Sequence, residues 1–126
     1  MNVEDSEFEA LVAEAIDQIP KVYKSRLENV AFLIEDEPSP EQRRKLSLHS
    51  GESLFGLYEG VPLPQRGGAT KLLPDKITVF KKPMLQSSHD RESLKQQIRQ
   101  TIWHEVAHFY GLNHERIHEI EDKHKR

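Results

Sequence analysis

Cysteine is absent from this chain of 126 residues, and its absence restricts two kinds of site. No disulfide can form, and any metal site would have to use histidine and carboxylate ligands in place of thiolates. Basic residues are not in excess, since the net charge is −3, so the composition gives no reason to expect a nucleic-acid partner. No apolar run approaches the roughly 20 residues that a helix needs to cross a bilayer.

The composition that remains predicts a single soluble, globular domain over residues 1–126. Apolar residues make up 36% of the chain and charged residues 31%. A chain of this length can bury one hydrophobic core and still form one cleft. The first 19 residues are acidic and amphipathic, without the basic start and apolar run of a signal peptide. We therefore expect a cytoplasmic protein that does not associate with membranes.

Hydrophobic periodicity predicts two long helices, one at each end of the chain. The first spans about residues 4–19 and is followed by Pro20, which is typical of the end of a helix. The second spans about residues 90–110, where apolar side chains form one stripe and polar side chains another. A short helix is also predicted over residues 40–48, because proline is favoured in a first helical turn.

Short apolar and β-branched runs between these helices predict three strands, at residues 30–34, 54–58 and 76–80. Pro83 is expected to end the third strand, because proline cannot donate to the sheet. The glycine-containing segment 65–70 is expected to be a mobile loop. Residues 114–126 are polar and are expected to form a short helix or a frayed tail.

The second long helix carries the pattern H-E-x-x-H-x-x-G-x-x-H. His104 and His108 lie one helical turn apart on the same face, so both imidazoles can bind one cation. Glu105 lies where its carboxylate can reach water at the metal without being a ligand. Gly111 permits the left-handed conformation that ends a helix, which would turn His114 back toward the ion. The pattern therefore predicts a zinc site with one carboxylate beside it.

A second H-E-x-x-H string overlaps the first, at residues 114–118. We interpret the overlap as coincidence, because the short charged tail lacks the rigid support that a catalytic motif needs. His118 nevertheless remains an alternative third ligand. Tyr58 and Tyr110 are candidates to stabilise an oxyanion, although packing with a hydrated hydroxyl is their more common role. The remaining histidines are expected at the surface: His49, His89 and His124.

These residues resemble the small bacterial zincin-like metallopeptidases, also called minimal zincins. The resemblance rests on four segments, at residues 35–38, 54–63, 73–83 and 104–114. It implies an α+β fold, in which a small β-sheet packs against an N-terminal helix and a C-terminal zinc-binding helix. It also implies that His104, His108 and His114 bind zinc and that Glu105 is the general base.

Two related groups of zincins fit the chain less well. Metzincins share the longer motif, but their methionine-containing turn has no counterpart here, because no methionine follows His114. Gluzincins use a glutamate far downstream on another helix, and the short stretch of residues after His114 argues against that arrangement. The expected assignment is therefore the minimal zincin type.

The sequence thus predicts a zinc-dependent metallopeptidase, a hydrolase that acts on a peptide or protein substrate. An exposed strand within residues 54–63 is expected to align an extended peptide beside the metal. One alternative is a zinc-stabilised binding or regulatory module with little or no peptidase activity. Glu105 argues against it, because a purely structural site needs no carboxylate beside an open coordination position. A third possibility is an enzyme whose cleft is completed by a partner, and the oligomeric state is left open.

Overall fold

The computed structural model describes residues 1–46, 54–61 and 74–111. In chain order the elements are α1 (Asp5–Asp17), α2 (Lys21–Lys24), β1 (Val30–Glu35), α3 (Pro40–Lys45), β2 (Gly56–Glu59), β3 (Asp75–Phe80), α4 (Lys81–Ser87) and α5 (Arg91–Phe109). Helices accompany a small three-stranded sheet, which confirms the predicted α+β class. No helix within the described ranges is long and apolar enough to cross a membrane.

The sheet has β3 at its centre, with the order β1-β3-β2. β1 runs parallel to β3, with Val30 opposite Asp75, and β2 runs antiparallel to β3, with Gly56 opposite Val79. Among the described strands, β2 therefore forms one edge of the sheet. β3 is buried over most of its length, as expected for a central strand with neighbours on both sides.

The hydrophobic core lies between the sheet and the two long helices, since α5 contacts α1, β2 and β3. Its fully buried side chains come from all of these layers: Phe8 of α1, Ile77 and Val79 of β3, and Leu94, Ile98, Ile102, Val106 and Phe109 of α5. The α5 members recur at helical spacing. Burial of this stripe fixes the rotation of α5 about its axis, and with it the direction of the polar residues.

Both ends of α5 have local signals that fix its length. At the start, the Asp90 carboxylate accepts from the Ser93 backbone N–H at 2.8 Å, and the Ser93 hydroxyl accepts from the Asp90 N–H at 3.1 Å. This reciprocal capping satisfies donors that have no partner within the helix. At the end, Gly111 has a φ of 75°, the left-handed conformation predicted from the sequence.

The structure differs from the sequence-based expectations mainly at short helices. The carbonyl of Pro20 accepts from Lys24 N–H at 3.0 Å, so Pro20 begins the unpredicted helix α2 as well as following α1. Pro83 does not terminate a strand directly but lies in the first turn of α4, where a helix needs no N–H donor. The predicted loop 65–70 and tail 114–126 lie outside the described residues.

Gly56 marks the closest approach between the sheet and α5. A Cβ atom at this position would lie 2.5 Å from Cγ2 of Thr101 and 3.4 Å from Cγ of Glu105, with the Thr78 carbonyl oxygen at 3.3 Å. The first distance is well below van der Waals contact. Any larger residue would have to push β2 away from α5, so the glycine sets the distance between these elements.

We expect Gly56→Ala to lower the free energy of unfolding by about 1–3 kcal/mol, because overpacking forces the backbone or Thr101 to shift. Urea denaturation followed by circular dichroism measures the change. Thr101→Ser removes Cγ2, the atom in closest conflict, so the double variant should recover part of the loss. Equal destabilisation by Gly56→Ala with and without Thr101→Ser would contradict this explanation.

Candidate metal centre

The last turns of α5 bring together His104, Glu105 and His108. One ligand atom from each lies within 4.8 Å of the other two. The two imidazole rings are 4.8 Å apart between centroids and are tilted by 54°. All three side chains are half-buried, whereas their neighbours Val106 and Ala107 are fully buried. The helix therefore presents these three groups together on a partly accessible face.

This set of side chains fits a zinc ion chemically. Neutral imidazole nitrogens and carboxylate oxygens are the ligands that zinc takes when cysteine is absent. The spacing of His104 and His108 lets both nitrogens bind from one side, and Glu105 lies close enough to act on a group at the metal. The distances alone would also allow the Glu105 carboxylate to be a metal ligand. Whether it acts as a ligand or as a base depends on its hydrogen bonds and burial.

Glu105 is held by the neighbouring edge strand. Its Oε1 accepts a hydrogen bond from the backbone N–H of Tyr58, in β2, at 3.0 Å. Burial raises the pKa of the Glu105 carboxyl to about 7, although the hydrogen bond from Tyr58 acts in the opposite direction. A carboxylate with a pKa near neutrality is suited to exchange protons. A cation beside it would favour its charged form.

The register of β2 explains why the Tyr58 N–H is available to Glu105. Phe80 N–H donates to the Phe55 carbonyl at 2.9 Å, so these two residues form a hydrogen-bonded pair. Along two antiparallel strands, hydrogen-bonded residue pairs alternate with pairs that exchange no backbone hydrogen bond. Tyr58 lies opposite Ile77, three residues further along the strand than Phe55. An odd number of steps leads to a non-hydrogen-bonded pair, so the backbone groups of Tyr58 and Ile77 do not bond to each other. The Tyr58 N–H therefore points away from β3, toward the outer edge of β2 and α5.

The two tyrosines predicted as possible oxyanion helpers use their hydroxyl protons elsewhere. Tyr58 donates to Oδ2 of Asp75 at 2.6 Å, and Tyr110 donates to the backbone carbonyl of Tyr23. A tyrosine hydroxyl has a single proton to donate. Tyr110 also packs edge-to-face on Tyr23 and Phe109. Both residues therefore act as packing and anchoring residues in this conformation, which was the more common role expected for them.

The third predicted ligand, His114, lies outside the described residues, and so does the alternative ligand His118. The chain leading to them is described up to Gly111, whose N–H donates to the His108 carbonyl at 2.9 Å. That turn, with its positive φ, is the local condition on which the prediction for His114 rests. The assignment of the third ligand remains a prediction.

The sequence did not indicate the residues that surround Glu105. Gly56 and the backbone N–H of Tyr58, which lie against it, belong to no spacing pattern, and a backbone donor has no residue-type signature. The same is true of Asp75, which accepts from the Tyr58 hydroxyl. Of the histidines predicted at the surface, His89 is exposed, while His49 and His124 lie outside the described residues. A glycine inside a predicted strand can mark a close backbone approach, and Gly56 is the one signal in the sequence that could have indicated this contact.

Comparison with known proteins gives two findings. A family model for zincin-like metallopeptidases matches residues 27–124. A conserved hypothetical protein from Thermus thermophilus has a similar solved structure, with a TM-score of 0.57, 21% sequence identity, and coverage of 83% of this chain and 92% of that one. At that identity the likeness shows a shared fold.

No curated protein matches the chain significantly. The family match, by contrast, covers most of the chain. It includes the sheet, the edge strand β2 and the helix that carries His104, Glu105 and His108. On this evidence the chain belongs to the zincin-like metallopeptidase family.

Proposed function

We propose that this protein is a zinc-dependent peptidase. His104, His108 and His114 would hold the ion, and Glu105 would be the general base. The observation that carries the proposal is the convergence of two imidazoles and one carboxylate within 4.8 Å, beside the outer edge of β2. A site that only stabilised the fold would not need a proton-exchanging group next to a strand edge.

In this reaction a bound zinc ion supplies Lewis acidity, which makes water a nucleophile near neutral pH and polarises a carbonyl group. Glu105 takes the proton from the attacking water and later delivers it to the leaving amine. Burial raises the pKa of the Glu105 carboxyl, and a neighbouring cation would favour the charged form that accepts the proton. His104 and His108 must be neutral to bind, so acid would compete with the metal for them.

The proposed substrate is an extended peptide or protein segment. β2 lies at an edge of the described sheet. Apart from the Tyr58 N–H, which is bound to Glu105, its outward-pointing backbone groups can pair with a peptide strand by β-augmentation. The pairing would place a peptide bond near His104 and His108, since β2 contacts α5.

We further propose a selective peptidase that works in the cytoplasm. An unrestrained protease would be harmful there, and the three-stranded sheet of the described residues offers few positions for substrate subsites. Few subsites give weak binding, because affinity depends on the contacts made along the peptide. No nucleic-acid or membrane partner is proposed.

A second interpretation is a zinc-stabilised binding or regulatory module. The hydrogen bond from Tyr58 to Glu105 favours it, since a carboxylate that links α5 to β2 also has a structural use. The two interpretations differ in what Glu105 does beyond accepting that bond. A change that preserves the bond but removes the basic oxygen therefore separates them.

We expect one zinc ion per chain after mild purification, measured by elemental analysis. His104→Ala and His108→Ala should each reduce zinc content sharply, because each removes one of the paired ligands. His89→Ala, at an exposed position on the loop before α5, is the matched control and should retain zinc. Wild-type zinc content in both ligand variants would rule out this site.

We expect Glu105→Gln to keep zinc and fold but to lower peptide hydrolysis by about 10²–10⁴-fold, the usual contribution of a general base. The glutamine oxygen can still accept from Tyr58 N–H, so the link to β2 survives. Glu92→Gln, at the exposed start of α5, is the control and should leave the rate unchanged. Chelator-sensitive peptide cleavage gives the measurement. A wild-type rate in Glu105→Gln would show that Glu105 is not the general base, whereas a folded, zinc-loaded wild type that cleaves no peptide would favour the module.

The third ligand can be tested by comparing His114→Ala with His118→Ala. We expect only the first to weaken zinc affinity, measured by competition with a chromogenic chelator. Gly111→Val should weaken it too without removing a ligand, because a β-branched residue is strained at a φ of 75°. Weakening by His118→Ala alone would transfer the assignment to that residue.

A further inference from the structure

Asp75 is a buried carboxylate that the proposed reaction does not use. It lies at the start of β3 and is 1% exposed. A buried carboxylate is costly unless it is hydrogen-bonded, and here the Tyr58 hydroxyl donates to its Oδ2 at 2.6 Å. This hydrogen bond joins the start of β3 to the side chain of Tyr58 in β2.

The chain on both sides of Glu59 lies against Asp75. Tyr58 reaches it through its hydroxyl, and a Cβ atom at Gly60 would lie 2.4 Å from its Cγ. The end of β2 is therefore attached to Asp75 through the hydrogen bond from the Tyr58 hydroxyl and the close approach of the Gly60 backbone. At its other end, β2 is set against α5 by Gly56, as the contact with Thr101 shows.

Tyr58 connects this attachment to the metal centre. Its side chain binds Asp75 and packs edge-to-face on Phe109, with ring centroids 6.0 Å apart, while its backbone N–H binds Oε1 of Glu105. Fixing the side chain fixes the peptide group to which it is joined. The hydrogen bond leaves Oε2 of Glu105 as the oxygen that can approach a proton at the metal.

We propose that Asp75 is a positioning residue for Glu105, acting through Tyr58. Asp75 holds the Tyr58 ring, the ring holds the peptide N–H at the outer edge of β2, and that N–H restrains one oxygen of Glu105. The carboxylate is thereby directed with Oε2 toward the reacting proton. The catalytic consequence rests on the proposed function, whereas the restraint on the Tyr58 amide is a property of the folded chain alone.

The test compares Asp75→Ala with Asp75→Asn in the zinc-loaded full chain. Asparagine keeps an oxygen that can accept from the Tyr58 hydroxyl, and alanine does not. In Asp75→Ala we expect kcat to fall about 5- to 50-fold with a smaller change in KM, because a small misplacement of a catalytic group lowers the rate of the chemical step. Asp75→Asn should recover most of kcat, and zinc content should equal that of wild type in both.

A second readout needs no substrate. Hydrogen exchange followed by NMR should show protection of the Tyr58 amide falling about tenfold or more in Asp75→Ala, since protection reports local opening, and recovering in Asp75→Asn. Val12→Ala, in the core of α1, is the control for a general loss of stability. It should leave kcat unchanged, and the protection of the Tyr58 amide relative to the other β2 amides should also be unchanged. If Asp75→Ala does not fold, Tyr58→Phe removes the same bond while keeping the ring.

The outcomes separate this proposal from the proposed function. Wild-type protection of the amide at position 58 in Asp75→Ala or Tyr58→Phe overturns the positioning role, whether or not a substrate is known. Unchanged kcat in those variants, with protection lost, overturns it as well. Wild-type activity in Glu105→Gln would instead overturn the proposed function and leave the amide result intact.

Discussion

The contact between β2 and α5 is the constraint on which the candidate site depends. Gly56 allows the strand to lie against Thr101, and the Tyr58 N–H, pointing outward from the sheet, meets Glu105 at 3.0 Å. A β-strand edge is normally a liability, since unpaired backbone groups attract other strands. Here one of those groups is bound to a carboxylate of the metal-binding helix, so the edge and the metal centre form a single unit.

The metal-binding pair depends in turn on how α5 is buried. The apolar stripe that includes Ile102 and Val106 fixes the rotation of the helix, and the Asp90 cap fixes where it starts. Given both, His104 and His108 must share a half-buried face. The chemistry of the site therefore requires no irregular backbone until Gly111, where the helix ends in a left-handed turn.

The sequence predicted those parts of the structure that depend on local pattern. Helix α5, with its apolar stripe, and the pairing of His104 with His108 follow from periods that a single segment reveals. The short helices α2 and α4 could not be predicted in this way, because four to seven residues are too few to show a periodic face. In addition, Pro20 before α2 and Pro83 within α4 were interpreted as residues that end an element. The order of the strands and the parallel pairing of β1 with β3 depend on contacts between distant segments, which no local pattern records.

The contacts of Asp75 and Tyr58 were hidden for the same reason, and in our proposal they are the means by which the fold holds a carboxylate in position for chemistry. A long side chain such as Glu105 has several rotamers, and fixing it costs conformational entropy. Large enzymes can surround such a group with many contacts. Within the described residues a backbone N–H of β2 restrains this carboxylate, and we infer that the position of that N–H is set by Asp75, 17 residues from Tyr58. The same carboxylate joins α5 to the sheet through the Tyr58 N–H and is the group proposed to exchange protons, so in this proposal one contact would serve both the fold and the reaction.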